Sequence, residues 1–197
     1  MNDHAENTRL AAMPMFAWTG SHMINVLTPD PDHFVLSEIA RGLSRENRYG
    51  GAATSIPWSV AQHSLICDHY AEEDGQVSRA DRLCIIMHDA PEYMLRDIIS
   101  PVKRFLPEYK AMEKNWWNAM AQRFEMPYQM PQIVKHYDMM AAASEKLAYI
   151  DPRSGDWPGV WPDPRPIPAH IEAMTPLQAE AAFIDRVTHI QRTITLH

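Results

Sequence analysis

Apolar residues recur along this chain at helical intervals, and the alternation of a strand is weak everywhere. In 36–45 (LSEIARGLSR), Leu36, Ile39, Ala40 and Leu43 fall on one stripe, the i, i+3, i+4, i+7 spacing of an amphipathic helix. Residues 58–72 predict a second helix with Val60, Leu65 and Cys67 directed inward. Ser78 followed by Asp81 predicts an N-terminal cap, opening a helix that continues through LCIIMHD at 83–89. Pro107 opens a helix over 107–124, with Tyr109, Met112, Trp116 and Met120 near one face, and Pro131 opens another over 131–150. Thr175-Pro176-Leu177-Gln178 supplies a cap, a first-turn proline and a capping-box glutamine for the last helix. The fold class that follows is all-α, a single helical bundle.

Two stretches depart from this periodicity. Residues 11–34, with MPMFAWTG and LTPDPDHF, predict an extended arm or short hairpin. Residues 151–168 hold six prolines and two tryptophans without any period. They form a proline-stiffened connector over the core, a flap near a pocket, or part of a subunit contact. The organisation is thus an arm packed on the domain (1–35), a core domain (36–150), and a Pro-rich connector with a C-terminal helix (151–197).

Composition narrows the function classes. A chain of 197 residues that is 46% hydrophobic can bury a sizeable core. Its net charge of −7, from 25 acids against 18 bases, argues against a dedicated duplex nucleic-acid binder, whose affinity rests on a basic footprint. It does not argue against a small phosphorylated substrate. The two cysteines, Cys67 and Cys84, sit in apolar runs without CxxC spacing and read as small buried hydrophobes of a reducing compartment. No apolar run approaches the roughly 20 residues of a membrane span, and the first ten residues lack an apolar signal segment. A soluble cytoplasmic protein is expected.

The chemistry concentrates on His88-Asp89, at the end of the apolar run LCIIM. An unpaired carboxylate at the edge of a buried segment is costly, so Asp89 requires a cation, an arginine or several donors. Glu92 follows three residues later, on the same helical face, so its carboxylate can look into the same site without being a ligand. His63 lies in WSVAQHSLI and reads either as a ligand or as a satisfied core histidine. Asp138 begins DMMAAASEKL, where Ala141, Ala142 and Ala143 allow close helix approach; its alternative is a surface or capping aspartate. Two imidazoles and two carboxylates from three helices suit one divalent transition metal (Mn, Co, Fe, Ni or Zn) and leave positions open for water and phosphate. A purely structural zinc site is more often tetrahedral and rich in cysteine.

The sequence His63…His88-Asp89…Asp138 resembles the H…HD…D signature of the HD-domain phosphohydrolases, and the resemblance runs from about residue 18 to residue 150. SVAQHS around His63, HDAPEYMLRDIISPVK at 88–103, LPEYKAME at 106–113 and ENRYGG at 46–51 look like segments of the small bacterial and phage members. Those members include 5'-deoxynucleotidases and phage dATP triphosphohydrolases. The resemblance implies a helical HD-domain bundle with His63, His88, Asp89 and Asp138 as metal ligands. It further implies Glu92 as the carboxylate that positions or deprotonates the attacking water, Arg48 as a phosphate grip and Tyr49 beside sugar or base. Asp97 and Lys103 match positions near sugar and phosphate. Many members carry a histidine after RYGG, where this chain has Ala52 and Ala53.

The activity so implied is metal-dependent hydrolysis of a deoxynucleotide, first as a dATP-like triphosphohydrolase releasing deoxynucleoside and triphosphate. A 5'-deoxynucleotidase acting on dNMPs is the alternative, and a catalytically silent nucleotide sensor or scaffold is the alternative of another class. A second metal can accompany a triphosphate, and a homo-oligomer is expected. Without the resemblance, Arg48, Lys103 (beside Arg104) and Asp97 also read as surface or capping residues. Trp116-Trp117 reads as core and interface packing, and His69, His136 and His189 as surface or supporting residues.

Overall fold

The computed structural model describes residues 15–194 and is mostly helical, apart from one small antiparallel hairpin. The first fourteen residues of the predicted arm lie outside the described residues. Within the arm, β1 (Phe16–Trp18) pairs with β2 (Met23–Asn25), Ala17 opposite Ile24. Ile24 and Phe34 are fully buried, and Trp116 donates its Nε1–H to the Val26 carbonyl at 2.7 Å, which docks the arm on the helices.

The expected long helices are present. They are α1 (Leu36–Leu43), α2 (Val60–Asp74) and α3 (Arg79–Met87). Next come two single turns, α4 (Glu92–Leu95) and α5 (Ser100–Lys103), which the periodicity did not predict. Then follow α6 (Pro107–Arg123), α7 (Gln132–Tyr149), the short α8 (Ala169–Glu172) and α9 (Pro176–Ile194). Ser59 and Gln62 form a reciprocal capping box at the start of α2, and Thr175 with Gln178 does the same at α9. No helix among the described residues is long and apolar enough to cross a membrane.

The central element is α2, in which eleven of fifteen residues are buried, as expected of a helix surrounded by others. It packs against α3, α7 and α9. Buried Asp68 ties these elements together, accepting from Arg82 of α3 at 2.7 and 2.8 Å and pairing with Arg186 of α9 at 2.5 Å. Ala179, Phe183, Val187 and Ile190 place α9 in the same core as Ile39, Ile66 and Ile86. The last helix therefore packs into the same core as the helices before residue 150. Trp116 and Trp117 are both buried, and so are both free cysteines.

One expected boundary differs. The helix that begins after Ser78 ends at Met87, so His88 and Asp89 stand in the following turn. Pro91 explains this, because it lacks an N–H and disfavours helical backbone before it. The turn is closed by Ala90 N–H to Met87 O and Glu92 N–H to Asp89 O, both 2.9 Å. Glu92 thus begins a new helical turn and does not share a continuous face with Asp89.

Candidate functional site

His63, one turn into α2, is fully buried, and the capping box at Ser59 fixes the start of the turn that carries it. Its Nδ1 lies 2.6 Å from Glu145 Oε1 on α7. Burial alone pushes the Glu145 carboxyl up, but Arg48, His63 and the Tyr49 hydroxyl outweigh it and hold the pKa down to about 2. An ionised carboxylate only accepts, so His63 donates from Nδ1 and turns Nε2 inward. His88 reaches the same state by another route. Its Nδ1 is 2.7 Å from the Ile85 carbonyl, which can only accept, and among the described residues its buried Nε2 meets no partner other than the carboxylates.

Both Nε2 nitrogens face the same two carboxylates. His63 Nε2 is 3.2 Å from Asp138 Oδ1 and 3.7 Å from Asp89 Oδ2. His88 Nε2 is 3.1 Å from Asp89 Oδ2 and 3.8 Å from Asp138 Oδ1. Donors bound side by side at about 2.1 Å from one ion are separated by about 3 Å. The orphaned Nε2 of His88 and this spacing fit a divalent cation held by His63, His88, Asp89 and Asp138. Cys67 Sγ adds a fifth polar atom, 3.5 Å from His63 Nε2. His63, Cys67 and His88 alone also make a compact group, but the ion pairs give the two carboxylates equal closeness to the imidazoles.

The electrostatics agree with a cation site. Burial raises the Asp89 carboxyl, yet His88 and His63 hold it down to about 2; burial likewise opposes Asp138, which both histidines bring well below the ordinary range. Burial and Arg48 oppose charge on His63, but Cys67, Glu145 and Asp138 raise its pKa well above the usual value. His88 is raised too, against burial, by Asp89 and Asp138. The carboxylates therefore demand positive charge between the imidazoles, from protons or from a metal that displaces them.

Arg48 and Tyr49 stand behind this group. Arg48 Nε is 3.1 Å from Glu145 Oε2, and its Nη1 is 3.4 Å from Asp89 Oδ2. The Tyr49 hydroxyl donates to Glu145 Oε2 at 2.5 Å. Tyr49 sits at φ 58, ψ 31, left-handed backbone that costs a bulky residue about 1–3 kcal/mol. Gly50 and Gly51 follow at φ 66 and 68, so these glycines serve a backbone reversal that aims Arg48 and Tyr49 inward.

Glu92, Lys103 and Asp97 lie on the solvent side. Lys103 Nζ is 3.3 Å from Glu92 Oε1 and 2.8 Å from Glu113 Oε1, and buried Glu92 Oε2 has no hydrogen-bond partner among the described residues. Burial first, then Asp89 and Asp97, push the Glu92 carboxyl well above its usual pKa against Lys103 and Arg48. Burial also raises Asp97, whose backbone N–H donates to Glu46 Oε1 at 3.3 Å. His88, Asp89, Glu92 and Lys103 open onto a cleft of about 420 Å³ whose far wall includes Lys114, Trp117 and Tyr128. A larger cavity of about 800 Å³ lies between the C-terminal end of α7 and the Pro-rich connector and touches none of the four candidate ligands. The connector does reach Tyr49, whose ring centroid is 6.0 Å from that of Trp157.

The sequence reading missed Glu145, Glu113 and the place of Cys67. Glu145 had a signal, since it follows Asp138 by seven residues, two turns along the same face of α7. Glu113 and Cys67 had none beyond ordinary amphipathic spacing. His69 pairs with Glu73 at 3.4 Å, outside this group.

No family model matches the chain. It is 28% identical over 155 residues to the uncharacterized protein YfdR of Escherichia coli, covering 79% of this chain and 83% of that protein. It is 29% identical over 182 residues to an uncharacterized protein of Rhodobacter capsulatus, covering 87% of this chain and 93% of that one. Both similarities span most of each protein, and neither relative's name carries an activity.

Proposed function

We propose that the chain is a metal-dependent phosphohydrolase of the HD-domain type acting on a deoxynucleotide. The carrying observation is the pair of buried imidazoles whose Nδ1 atoms are both committed to acceptors, so that both Nε2 atoms face Asp89 and Asp138. A divalent transition metal held there supplies a polarised phosphate oxygen and a more acidic water. Glu92, at the edge of the cleft, is the proton acceptor, since its raised pKa brings it nearer the operating pH than an ordinary carboxylate. Lys103 and Arg48 supply the positive charge that offsets the developing phosphate charge, and Asp97 lies beside them for the sugar.

Two substrates compete within this reading. The resemblance to dATP-hydrolysing phage proteins favours a dNTP, cleaved at the α-phosphorus. The cleft favours a dNMP, because the cations lining it are Lys103 and Lys114, facing Asp89, Glu92 and Glu113. Two further phosphates need more positive charge than that. One assay separates them: dNMPs, dNTPs and rNTPs are incubated with Mn²⁺, Co²⁺, Mg²⁺ and Zn²⁺ and the products resolved by chromatography. Deoxynucleoside with orthophosphate marks the nucleotidase, and deoxynucleoside with triphosphate marks the triphosphohydrolase. Undiminished turnover after exhaustive chelation would refute the metal-dependent mechanism.

A further inference from the structure

The proposed chemistry leaves Cys67 unused, although it is fully buried against the centre. It follows His63 by four residues on α2, so both side chains leave the same face of the helix. Its Sγ is 3.5 Å from His63 Nε2, and it lies within 4.8 Å of a ring nitrogen of His88. With bonds of about 2.3 Å to sulfur and about 2.1 Å to nitrogen, neighbouring sulfur and nitrogen donors on one ion stand about 3.1–3.6 Å apart. The second, independent observation is His88 Nε2. It is buried, belongs to a side chain only 6% exposed, and among the described residues has no hydrogen-bond partner besides the ion pair with Asp89 at 3.1 Å. That nitrogen faces the place the thiol also reaches.

We infer that Cys67 is a fifth donor to the metal centre of His63, His88, Asp89 and Asp138, and that its thiolate biases the site towards thiophilic cations, Zn²⁺, Co²⁺ or Fe²⁺, over Mn²⁺ and Mg²⁺. This rests on the metal-centre reading. A metal–sulfur bond forms, the S–H bond breaks, the thiol proton leaves to solvent, and no atom changes oxidation state. Imidazole and carboxylate alone accept the whole range of first-row cations, whereas a thiolate selects the softer ones. Cys84 serves as the internal control, since it is buried on α3 and belongs to no such group among the described residues.

The test is cobalt substitution of the full-length chain. The wild type should bind one Co²⁺ per chain, by elemental analysis, and show thiolate-to-cobalt charge-transfer absorption in the near ultraviolet. Cys84→Ala should keep that band, and Cys67→Ala should lose it while retaining cobalt. A cobalt-loaded wild type without the band, or a band that survives Cys67→Ala, overturns the assignment of Cys67 alone. A chain that takes up no cobalt overturns the metal centre itself, and the donor assignment with it. Should circular dichroism show Cys67→Ala unfolded, zinc X-ray absorption on the unaltered chain decides instead. Sulfur at about 2.3 Å supports the assignment, and a shell of nitrogen and oxygen only overturns it.

Discussion

Glu145 Oε1 stands 2.6 Å from His63 Nδ1, and this contact decides which nitrogen of His63 faces the centre. The same carboxylate takes Arg48 at 3.1 Å and the Tyr49 hydroxyl at 2.5 Å through its other oxygen. One buried side chain therefore orients the imidazole, anchors the guanidinium and fixes the aromatic ring. Carboxylates that hold a metal-binding histidine set its tautomer and raise its basicity, and their loss costs about 10–100-fold in metal affinity.

Glu145→Gln is expected to weaken metal binding within that range, because the amide still accepts from Nδ1–H but carries no charge. Glu145→Ala should weaken it further and also destabilise the fold by about 3–5 kcal/mol, since Arg48 is left buried beside a vanished partner. Calorimetric titration with Co²⁺ or Mn²⁺ measures the first effect, and thermal unfolding the second. Wild-type affinity in both variants would remove Glu145 from the site.

Asp89 and Glu92 are separated by one turn of chain, yet they should fail differently. Asp89 faces both imidazoles, so Asp89→Ala should lose the metal. Glu92 touches Lys103 and neither imidazole, so Glu92→Ala should keep the metal while turnover falls by about 10²–10⁴-fold, the usual contribution of a general base. Elemental analysis beside steady-state rates distinguishes them. A metal-free Glu92→Ala protein would make Glu92 a ligand.

The pH profile follows from the groups around Glu92. Burial raises its pKa first, Asp89 and Asp97 raise it further, and Lys103 and Arg48 oppose them. A base acts only when deprotonated, so activity should climb with pH through this raised value, above the ordinary carboxylate range. Asp97→Asn removes one negative neighbour and should move the acid limb of kcat/KM to lower pH. An unmoved or upward-shifted limb would mean that another group sets it.

How far the sequence carried this site depends on the kind of signal each residue leaves. The helices were legible because Ile39, Leu43, Ile66, Phe183 and their neighbours repeat at helical spacing and end in the core. His63, His88 and Asp89 stood out as polar residues in or beside apolar runs, whereas Asp138 was singled out as a ligand by the H…HD…D resemblance. The turn at His88–Ala90 was harder, because LCIIM is strongly periodic and a single proline, Pro91, ends the helix one residue before His88. The pairings of Glu145 and Lys103 were not legible at all. Their partners, His63 and Glu92, lie 82 and 11 residues away in sequence; packing of α7 on α2 brings Glu145 to His63, and the chain between α4 and α5 folds Lys103 back on Glu92.

Sugar discrimination is the sharpest consequence of the fixed position of Tyr49. Its hydroxyl is tied to Glu145, its ring lies 6.0 Å from Trp157, and the Arg48 guanidinium is 5.1 Å from the ring centroid. Left-handed backbone at Tyr49 adds to these constraints, so the ring cannot swing aside without breaking several contacts. A wall that cannot yield rejects an added hydroxyl by clash, whereas a soft pocket discriminates by only about 10²-fold. If the ring borders the ribose, dATP or dAMP should outpace its ribonucleotide by about that factor or more. Tyr49→Ala should narrow the gap by opening the space for a 2'-hydroxyl. Tyr49→Phe is the informative partner, because it keeps the ring and removes only the hydrogen bond to Glu145. Discrimination retained in Tyr49→Phe and lost in Tyr49→Ala assigns it to the wall. Equal loss in both assigns it to the Glu145 network, and equal wild-type rates on ribo- and deoxyribonucleotides would end the sugar argument.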